Sequence, residues 1–302
     1  MLFDPNYISG LVSALNKSSL SEQNLTTELS SGLAVSSLSD NPVAAGESSL
    51  LDSSISQDVT FEQTASNTES LMQVTDSTLG AVVTQLTSAI SLATEGNGGT
   101  ESSSDLDSIS AQLSSIRDQV VALANTNYQG TYIFAGSMGD VKPFTTDSST
   151  TPATTIYNGD PNPNNVNTIT TVSGQTIQTS LLGSAVFTAP GANVMSALNN
   201  LIADFAGGTV SATAADDISA LSDGLTNVST QRESLDSSLD RLQTAGSYAT
   251  TDATNRTASV SALVAANPTT IATQLSAAET QNTSLMDVIA TVEKQSLFDH
   301  IQ

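Results

Sequence analysis

A strict heptad spacing of large apolar residues between positions 106 and 123 constrains this chain more than any other feature of its sequence. The apolar residues recur every three or four positions, which places them on one face of a helix. Burial of each such side chain is worth about 1.5–3 kcal/mol, and an isolated helix of this length is marginal in water. The helix therefore needs a partner for the face formed by Leu106, Ile109, Leu113, Ile116, Val120 and Leu123, while Ser, Gln, Arg117 and Asp118 are expected on its outer face.

A second long apolar series follows later in the chain. It lies between the Gly207-Gly208 and Asn267-Pro268 breaks and includes Arg232 as its one polar member. Another helical pattern, about fifty residues long, runs from Val43 to the break at Glu95–Gly99. We therefore predict a helical rod domain formed by residues 41–139 and 191–266. Its predicted core consists of Leu106, Ile109, Leu113, Ile116, Val120, Leu123, Leu221, Leu225, Val228, Leu235, Leu239 and Leu242.

The two ends of the chain carry weaker versions of the same pattern. Near the amino end the apolar spacing is interrupted, because Ser18 and Glu22 occupy positions where apolar residues would continue it. Residues 1–40 and 267–302 are predicted to be terminal helical segments, and neither is expected to be stable as an isolated helix. Their apolar stripes consist of Ile8, Leu11, Leu15, Leu25, Leu29, Leu285, Ile289, Val292, Leu297 and Phe298.

The periodicity changes after Gly130, where short Thr-rich runs between Gly, Pro and Asn turns replace the helical spacing. Such runs are typical of strands, and we predict a β-rich outer domain over residues 140–190. The turn from the rod into this domain is predicted to contain Asn125, Gly130, Tyr132, Phe134 and Gly136, with a strand starting at Tyr132 and including Phe134. The predicted fold class is mainly α with a β insertion: an elongated, antiparallel, coiled-coil-like helical bundle from both chain ends, with a small β domain at the tip.

Composition argues against several classes of function. The 30 acidic and 7 basic residues give a formal net charge of −23, which repels nucleic acid and anionic membrane surfaces. No segment approaches the roughly 20 apolar residues of a membrane span, so membrane insertion is not expected. The chain has no Cys and a single His, His300, and the acidic pair Asp105 and Asp107 does not continue into a calcium loop. We therefore expect no catalytic residue, no cofactor and no metal site.

Three stretches of the sequence carry a resemblance to a known family. LANTNYQGTYIFAG (123–136) and LSSGLAVSSLSDNPVAA (29–45) resemble segments of the bacterial flagellin family, which includes the flagellar hook-associated proteins of the hook–filament junction. VEKQSLFDHI (292–301) is similar to the ending of the junction type, and the Pro42 segment also matches that type. The opening Met-Leu-Phe-Asp and the small number of Arg residues depart from the family's pattern.

The resemblance implies a structural axial protein of the bacterial flagellum without enzymatic activity. The terminal segments would be disordered in the monomer and would form a coiled coil on assembly, so that the ten stripe residues of the two ends would be the assembly interface. The implied partners are other copies of the chain, a hook-side hook-associated protein, filament-side flagellin and an export chaperone at the carboxyl end. The implied location is extracellular, reached by flagellar type III export without a cleaved signal peptide.

Two alternatives remain open at this point. The chain could be a flagellin that forms the filament itself, although the Pro42 segment and the Ser-Leu-Phe-Asp ending argue against this reading. It could also be a secreted binding module or hydrolase, carried on a helical stalk with the β insertion as its active part. That insertion contains only a few aromatic residues, among them Tyr157 and Phe144, which is too few for a sugar-stacking platform.

Overall fold

The protein folds into long helices and short antiparallel hairpins. The computed structural model describes residues 5–147, 149–150, 152–162 and 164–299. The helices are α1 (Pro5–Ser31), α2 (Pro42–Gly96), α3 (Ser103–Ala124), α4 (Gly183–Phe187), α5 (Val194–Phe205), α6 (Ala214–Val264) and α7 (Pro268–Asp299). The strands are β1 (Asn127–Tyr128), β2 (Thr131–Tyr132), β3 (Phe144–Asp147), β4 (Thr154–Tyr157), β5 (Thr168–Thr170), β6 (Thr176–Gln178), β7 (Thr188–Ala189) and β8 (Ala192–Asn193). The predicted class, mainly α with a β insertion, is confirmed.

Asparagine caps begin two of the long helices. The Oδ1 atom of Asn41 accepts hydrogen bonds from the backbone N–H groups of Val43 (3.2 Å) and Ala44 (3.1 Å), and Pro42 occupies the first helical position of α2. Asn267 caps α7 in the same way ahead of Pro268. Both arrangements satisfy N–H groups that have no partner within the helix. Each Asn-Pro pair thus marks the start of a long helix.

The start of α3 is fixed by a reciprocal pair of side chains. Ser102 accepts a hydrogen bond from the backbone N–H of Asp105, and the Asp105 carboxylate accepts one from the backbone N–H of Ser102. The Ser102 hydroxyl also donates to the Asp105 carboxylate (2.6 Å), and this bond first, then that from the Ser102 backbone N–H, holds the pKa of the Asp105 carboxyl below its usual range. Asp105 is therefore the second half of a capping box, and its charge lies in the first turn of the helix, where an anion is favoured.

The chain divides into two compact units. The terminal unit comprises residues 1–57 and 251–302, and the central unit comprises residues 58–250. The domain ranges 1–40 with 267–302, 41–139 with 191–266, and 140–190 stay predictions, as does disorder of the terminal segments in the monomer. None of the helices in the described ranges has a segment long and apolar enough to cross a membrane.

The core of the central unit is built from the heptad positions of α3 and α6, with apolar residues of α2 and α5. Helix α3 packs along α5. The buried heptad positions are Leu106, Ile109, Leu113, Ile116, Val120, Leu221, Val228, Leu235 and Leu242. Leu123, Leu225 and Leu239 are half-buried against the same core.

Each hairpin in the described ranges is antiparallel and two-stranded. Strand β1 pairs with β2, β3 with β4, β5 with β6, and β7 with β8. The expected strand through Tyr132 and Phe134 is shorter than predicted, because it ends at Tyr132 and Phe134 lies in the following turn. The turn lets Phe134 point into the core, where its side chain is fully buried.

Candidate assembly interface

Helices α1 and α7 pack against each other in the terminal unit and run in opposite directions. At one end, the backbone N–H of Ala34 donates to the carbonyl of Val264 (2.8 Å), and that of Ala266 donates to the carbonyl of Gly32 (2.9 Å). Further along, the Ser18 hydroxyl lies 3.5 Å from the carbonyl oxygen of Ala278. The pairing is antiparallel because positions before Gly32 contact positions after Ala266.

The predicted interface residues fall into several environments within this helix pair. Val292 is buried on α7, whereas Leu29 is 42% exposed. The side chains of Ile8, Leu297 and Phe298 lie outside the described residues. The remaining predicted members are half-buried: Leu11, Leu15, Leu25, Leu285 and Ile289. Their role in assembly stays a prediction.

The middle of the α1–α7 contact is polar. The Asn282 side-chain amide, in a residue that is only 9% exposed, donates hydrogen bonds to Glu22 Oε2 (2.9 Å) and Ser19 Oγ (3.3 Å). Its Oδ1 atom is buried and has no hydrogen-bond partner among the described residues. Ser18 is buried in the same region. Ser18 and Glu22, which interrupt the apolar stripe of α1, therefore lie against the polar Asn282 region of α7. This limits the apolar area that α1 and α7 can bury between them.

Exposed large apolar side chains are concentrated in the terminal unit. Seventeen such side chains are exposed in the described part of the chain, and ten of them belong to this smaller unit. Val43 is 77% exposed and Leu50 is 73% exposed. The two lie seven residues apart in the first turns of α2, which places them on the same face of that helix. The other eight are Tyr7, Val12, Leu20, Leu29, Leu33, Leu38, Met286 and Val288.

The predicted turn out of the helices is closed by a side chain at the end of α3. Asn125 donates to the carbonyl of Phe144 (2.9 Å) and accepts from the N–H of Phe144 (2.8 Å), so one side chain pairs with both backbone groups. Between them, Gln129 and Gly130 have positive φ angles of 51° and 91° and connect β1 to β2. Two successive residues of this kind form the tight turn that suits the twist of a hairpin. Asn125 and Gly130 thus shape the turn from α3 into the hairpins.

An aromatic cluster holds the base of the β insertion. Phe144 lies 5.4 Å from Phe187 and 5.1 Å from Tyr157 between ring centroids, and Phe134 lies 5.2 Å from Phe187. The backbone N–H of Gly183 donates to the carbonyl of Phe134 (2.9 Å). A Cβ atom at Gly183 would lie 2.8 Å from the rings of both Phe144 and Tyr157, so the position requires glycine. The chain that leaves at Phe144 therefore returns at Gly183 against the same rings.

The second predicted glycine of the turn, Gly136, is enclosed. Its φ angle is 67°, and a Cβ atom there would meet Leu182 at 2.4 Å and Asp160 at 3.0 Å. Asp160 is buried and accepts hydrogen bonds from the Ser137 hydroxyl, the Asn162 backbone N–H and the Asn165 amide. These bonds, that from Ser137 first, hold the pKa of the Asp160 carboxyl below its usual range.

The lowered pKa of Asp160 predicts an acid-sensitive contribution to stability. A carboxyl whose folded-state pKa lies below its unfolded value of about 3.9 stabilises the fold fully above that value, and the contribution is lost as the pH falls through the folded pKa. Between about pH 6 and pH 3, the Tm of the wild-type chain should therefore fall more steeply than that of Asp160→Asn. Thermal unfolding followed by circular dichroism tests this, with Asp140→Asn at an exposed site as the matched control. Parallel pH profiles for wild type and Asp160→Asn would contradict it.

Arg117 is buried, in contrast to its expected place on the outer face of α3. Its side chain is 7% exposed. The guanidinium donates to the carbonyl of Ala153 (3.2 Å), to Asn199 Oδ1 (3.4 Å) and to Asp118 Oδ1 (2.8 Å). It connects α3 to α5 and to the residue before β4. Helical periodicity did not predict the burial of Arg117, because a long side chain beside the apolar face can reach polar groups on neighbouring elements. In the sequence, only the adjacent Asp118 indicates a polar partner for Arg117.

Loss of Arg117 should destabilise the central unit. Arg117→Met leaves the buried Asn199 amide oxygen and the half-buried Ala153 carbonyl without their donor, and we expect the free energy of unfolding to fall by about 1–3 kcal/mol. Arg117→Lys should recover only part of this, because an ammonium group cannot reproduce the planar set of donors. Urea denaturation measures the effect, and Arg241→Met, at an exposed arginine, is the control. Equal stability of Arg117→Met and Arg241→Met would refute this role.

Among the described residues, no group of three or more His, Asp or Glu side chains is arranged to hold a metal ion. The features assembled around the terminal helices and the base of the β insertion are instead hydrogen bonds, aromatic contacts and exposed apolar side chains.

Residues 8–138 match the family described as the bacterial flagellin N-terminal helical region. This range includes most of α1, all of α2 and α3, and the turn at Asn125 to Gly136. The predicted resemblance to the bacterial flagellin family is confirmed over this part of the chain.

The more particular likeness is to flagellar hook-associated protein 3. The protein of that name from Salmonella typhimurium is 29% identical over 145 residues, which are 48% of this chain and 44% of the relative. The one from Escherichia coli is 30% identical over 118 residues, or 39% of this chain and 37% of the relative. The matched stretches thus span less than half of the length of these curated relatives.

Solved structures show the same fold. A Vibrio parahaemolyticus protein described as a flagellar hook-associated protein has a TM-score of 0.65 at 19% identity, covering 74% of this chain and 99% of that one. The flagellar junction protein FlgL from Legionella pneumophila has a TM-score of 0.60 at 12% identity, covering 73% of this chain and 100% of that one. At these identities the likeness establishes the fold.

Proposed function

We propose that the protein is a structural component of the bacterial flagellum that forms the junction between hook and filament. The observation that carries the proposal is the concentration of exposed large apolar side chains in the terminal unit, on a chain whose relatives are named hook-associated protein 3. Assembly would bury these side chains between neighbouring copies of the chain.

The first argument is the uncovered apolar surface. Large apolar side chains such as Val43 and Leu50 are more than two-thirds exposed, although burying each of them is worth about 1.5–3 kcal/mol. Exposed apolar surface of this kind marks interaction sites in soluble proteins. Helices that belong to neighbouring subunits would supply the covering surface.

The second argument is the polar centre of the α1–α7 pair. Ser18, Glu22 and Asn282 occupy positions that would be apolar in a stable two-helix coiled coil. A polar residue at such a position reduces stability but specifies the register of the pair. The two terminal helices would therefore pair in a defined register. Further stabilisation of the pair would come from contacts with other chains.

The proposed partners are other copies of the chain, a hook-side hook-associated protein and filament-side flagellin, with an export chaperone at the carboxyl end. The protein would act outside the cell after export through the flagellar apparatus. Its contribution would be structural, since the features described above serve packing rather than bond making or breaking.

A filament-forming flagellin is the second candidate, because the matched family is that of flagellin N-terminal regions. Immunogold electron microscopy on flagella from the source cells separates the two, with an antibody raised against residues 140–190. Label at a single position between hook and filament is the expected result. Label along the shaft would indicate a flagellin. A reproducible absence of label from accessible flagella would instead favour a secreted binding module or hydrolase.

A further inference from the structure

An acidic side chain lies between two highly exposed apolar side chains at the start of α2. Val43, Glu47 and Leu50 follow one another at intervals of four and three residues, which places them on one face of the helix. Val43 is 77% exposed, Leu50 is 73% exposed, and Glu47 is also exposed. Glu47 forms no ion pair with a described residue. These three residues form the α2 patch.

The carboxylate of Glu47 limits what can cover the α2 patch. A surface that covers Val43 and Leu50 also removes water from the side chain between them. A carboxylate that loses its water is strongly unfavourable unless a cation takes the place of the water. Apolar neighbours keep water away from such an ion pair, which strengthens the attraction between the two charges. The covering surface must therefore carry Lys or Arg beside an apolar side chain.

Helix α1 of the same chain carries such a surface. The terminal unit has three Lys or Arg residues: Lys17, Arg256 and Lys294. Arg256 is paired with Asp252 (2.6 Å), and the Lys294 side chain lies outside the described residues. Lys17 is exposed and forms no ion pair with a described residue. Leu20, three residues later on the same face of α1, is 59% exposed.

We propose that Lys17 and Leu20 of one copy dock on the α2 patch of a neighbouring copy, with the Lys17 ammonium group paired with the Glu47 carboxylate. The spacing of the two surfaces matches, because Leu20 follows Lys17 by three residues and Leu50 follows Glu47 by three. When the two helices lie side by side in the same direction, contact between Leu20 and Leu50 brings the opposite charges together. This inference rests on the proposed assembly of the chain with copies of itself.

The net charge of the chain gives this ion pair a second role. Each copy carries a formal charge of −23, so copies that approach one another repel. A cation placed against a carboxylate at the contact offsets part of this repulsion and selects one orientation of the two copies.

The docking is a head-to-tail contact, because its two surfaces are different parts of the same chain. Each copy would present Lys17 and Leu20 to one neighbour and the α2 patch to another. Repeated contacts of this kind close into a ring or continue as a helix, whereas a contact between two identical surfaces stops at a dimer. The docking would therefore support an assembly of many copies.

Charge reversal tests the pair in a strain that lacks the protein. Glu47→Lys places two cations at the contact and Lys17→Glu places two carboxylates there, so each should lower incorporation into flagella by about tenfold or more. The double variant, Lys17→Glu with Glu47→Lys, restores opposite charges and should regain most of the incorporation. Asp52→Lys, at an exposed position on another face of α2, is the matched control and should be incorporated like wild type. Circular dichroism should show that all the isolated variants are folded.

Cross-linking of the wild-type chain gives a second measurement. A carbodiimide joins a carboxylate directly to an amine in contact with it, and Lys17, Lys142 and Lys294 are the three lysines of the chain. Treated flagella should yield cross-linked dimers in which mass spectrometry finds Lys17 of one copy joined to Glu47 of the other. The unassembled chain, treated in the same way, should not yield this link.

Two results would overturn the inference and leave the proposed function in place. One is a double variant that does not regain the incorporation lost by Glu47→Lys, which would assign the α2 patch to a different axial protein. The other is normal incorporation of both single variants, with no link between Lys17 and Glu47 in assembled flagella. Absence of the wild-type chain from flagella, measured with the antibody against residues 140–190, would instead refute the proposed function and this inference with it.

Discussion

Replacement of Val43 or Leu50 by Asp is expected to abolish incorporation into the flagellum while leaving the isolated chain folded. Both side chains are largely exposed in the single chain, 77% and 73%, so a carboxylate there remains hydrated and costs little. In an apolar contact between chains, the same carboxylate would lose its water without gaining a partner. A penalty of about 3 kcal/mol per contact lowers the association constant by more than a hundredfold.

The measurement has two parts. Circular dichroism and thermal unfolding should show wild-type behaviour for the isolated variants, and a strain lacking the protein should regain full-length flagella and swimming with wild type only. Ile156→Asp is the matched control, because Ile156 is 47% exposed but lies in the β3–β4 hairpin of the central unit. Normal flagella with both Val43→Asp and Leu50→Asp would remove the main support for the assembly proposal.

Replacement of Phe144 by Ala is expected to cause a large loss of stability in the central unit. Phe144 is fully buried and its ring contacts both Phe187 and Tyr157. Truncation of a buried Phe costs about 3–5 kcal/mol, because it removes transfer free energy and leaves a cavity. For a unit of this size, such a loss corresponds to a fall in Tm of roughly 6–20 °C.

Thermal unfolding and urea denaturation both measure this effect. Ile156→Ala is the control within the same hairpin, because Ile156 pairs with Thr145 and faces solvent. Its stability should stay within about 0.5 kcal/mol of wild type. A Phe144→Ala protein as stable as Ile156→Ala would show that the aromatic cluster does not anchor the insertion.

Local sequence patterns predicted the helices well because they depend on neighbours a few residues apart. The heptad from Leu106 to Val120 is buried, and the Asn-Pro pairs mark the starts of α2 and α7. The β insertion was predicted from the change of period after Gly130. In each case the deciding residues lie within one or two helical turns, or within one hairpin, of each other.

Long-range polar contacts could not be predicted in the same way. Arg232 stands out in the sequence as the polar member of an apolar series, but its partner is Asp76 on α2, with Nε and Oδ1 2.5 Å apart. Asn282 faces Glu22 across a separation of 260 residues. Periodicity identifies the face of a helix that is buried, but it does not identify which residue of a distant helix lies opposite. The expected outer position of Arg117 was wrong for the related reason that its side chain reaches around the helix.

The two ends of the β insertion are fixed close together at its base, so a change within the insertion need not disturb the helices. At the start of β3, the backbone N–H of Phe144 donates to the Asn125 side chain. At the other end of the insertion, the backbone N–H of Gly183 donates to the carbonyl of Phe134, which lies in the turn after β2. A segment whose two ends are fixed close together can change in length and composition at small entropic cost. Tyr157 and Asp160 are held by the contacts described above, but the exposed turn at Ser149 and Thr150 should accept an inserted foreign peptide without loss of the fold.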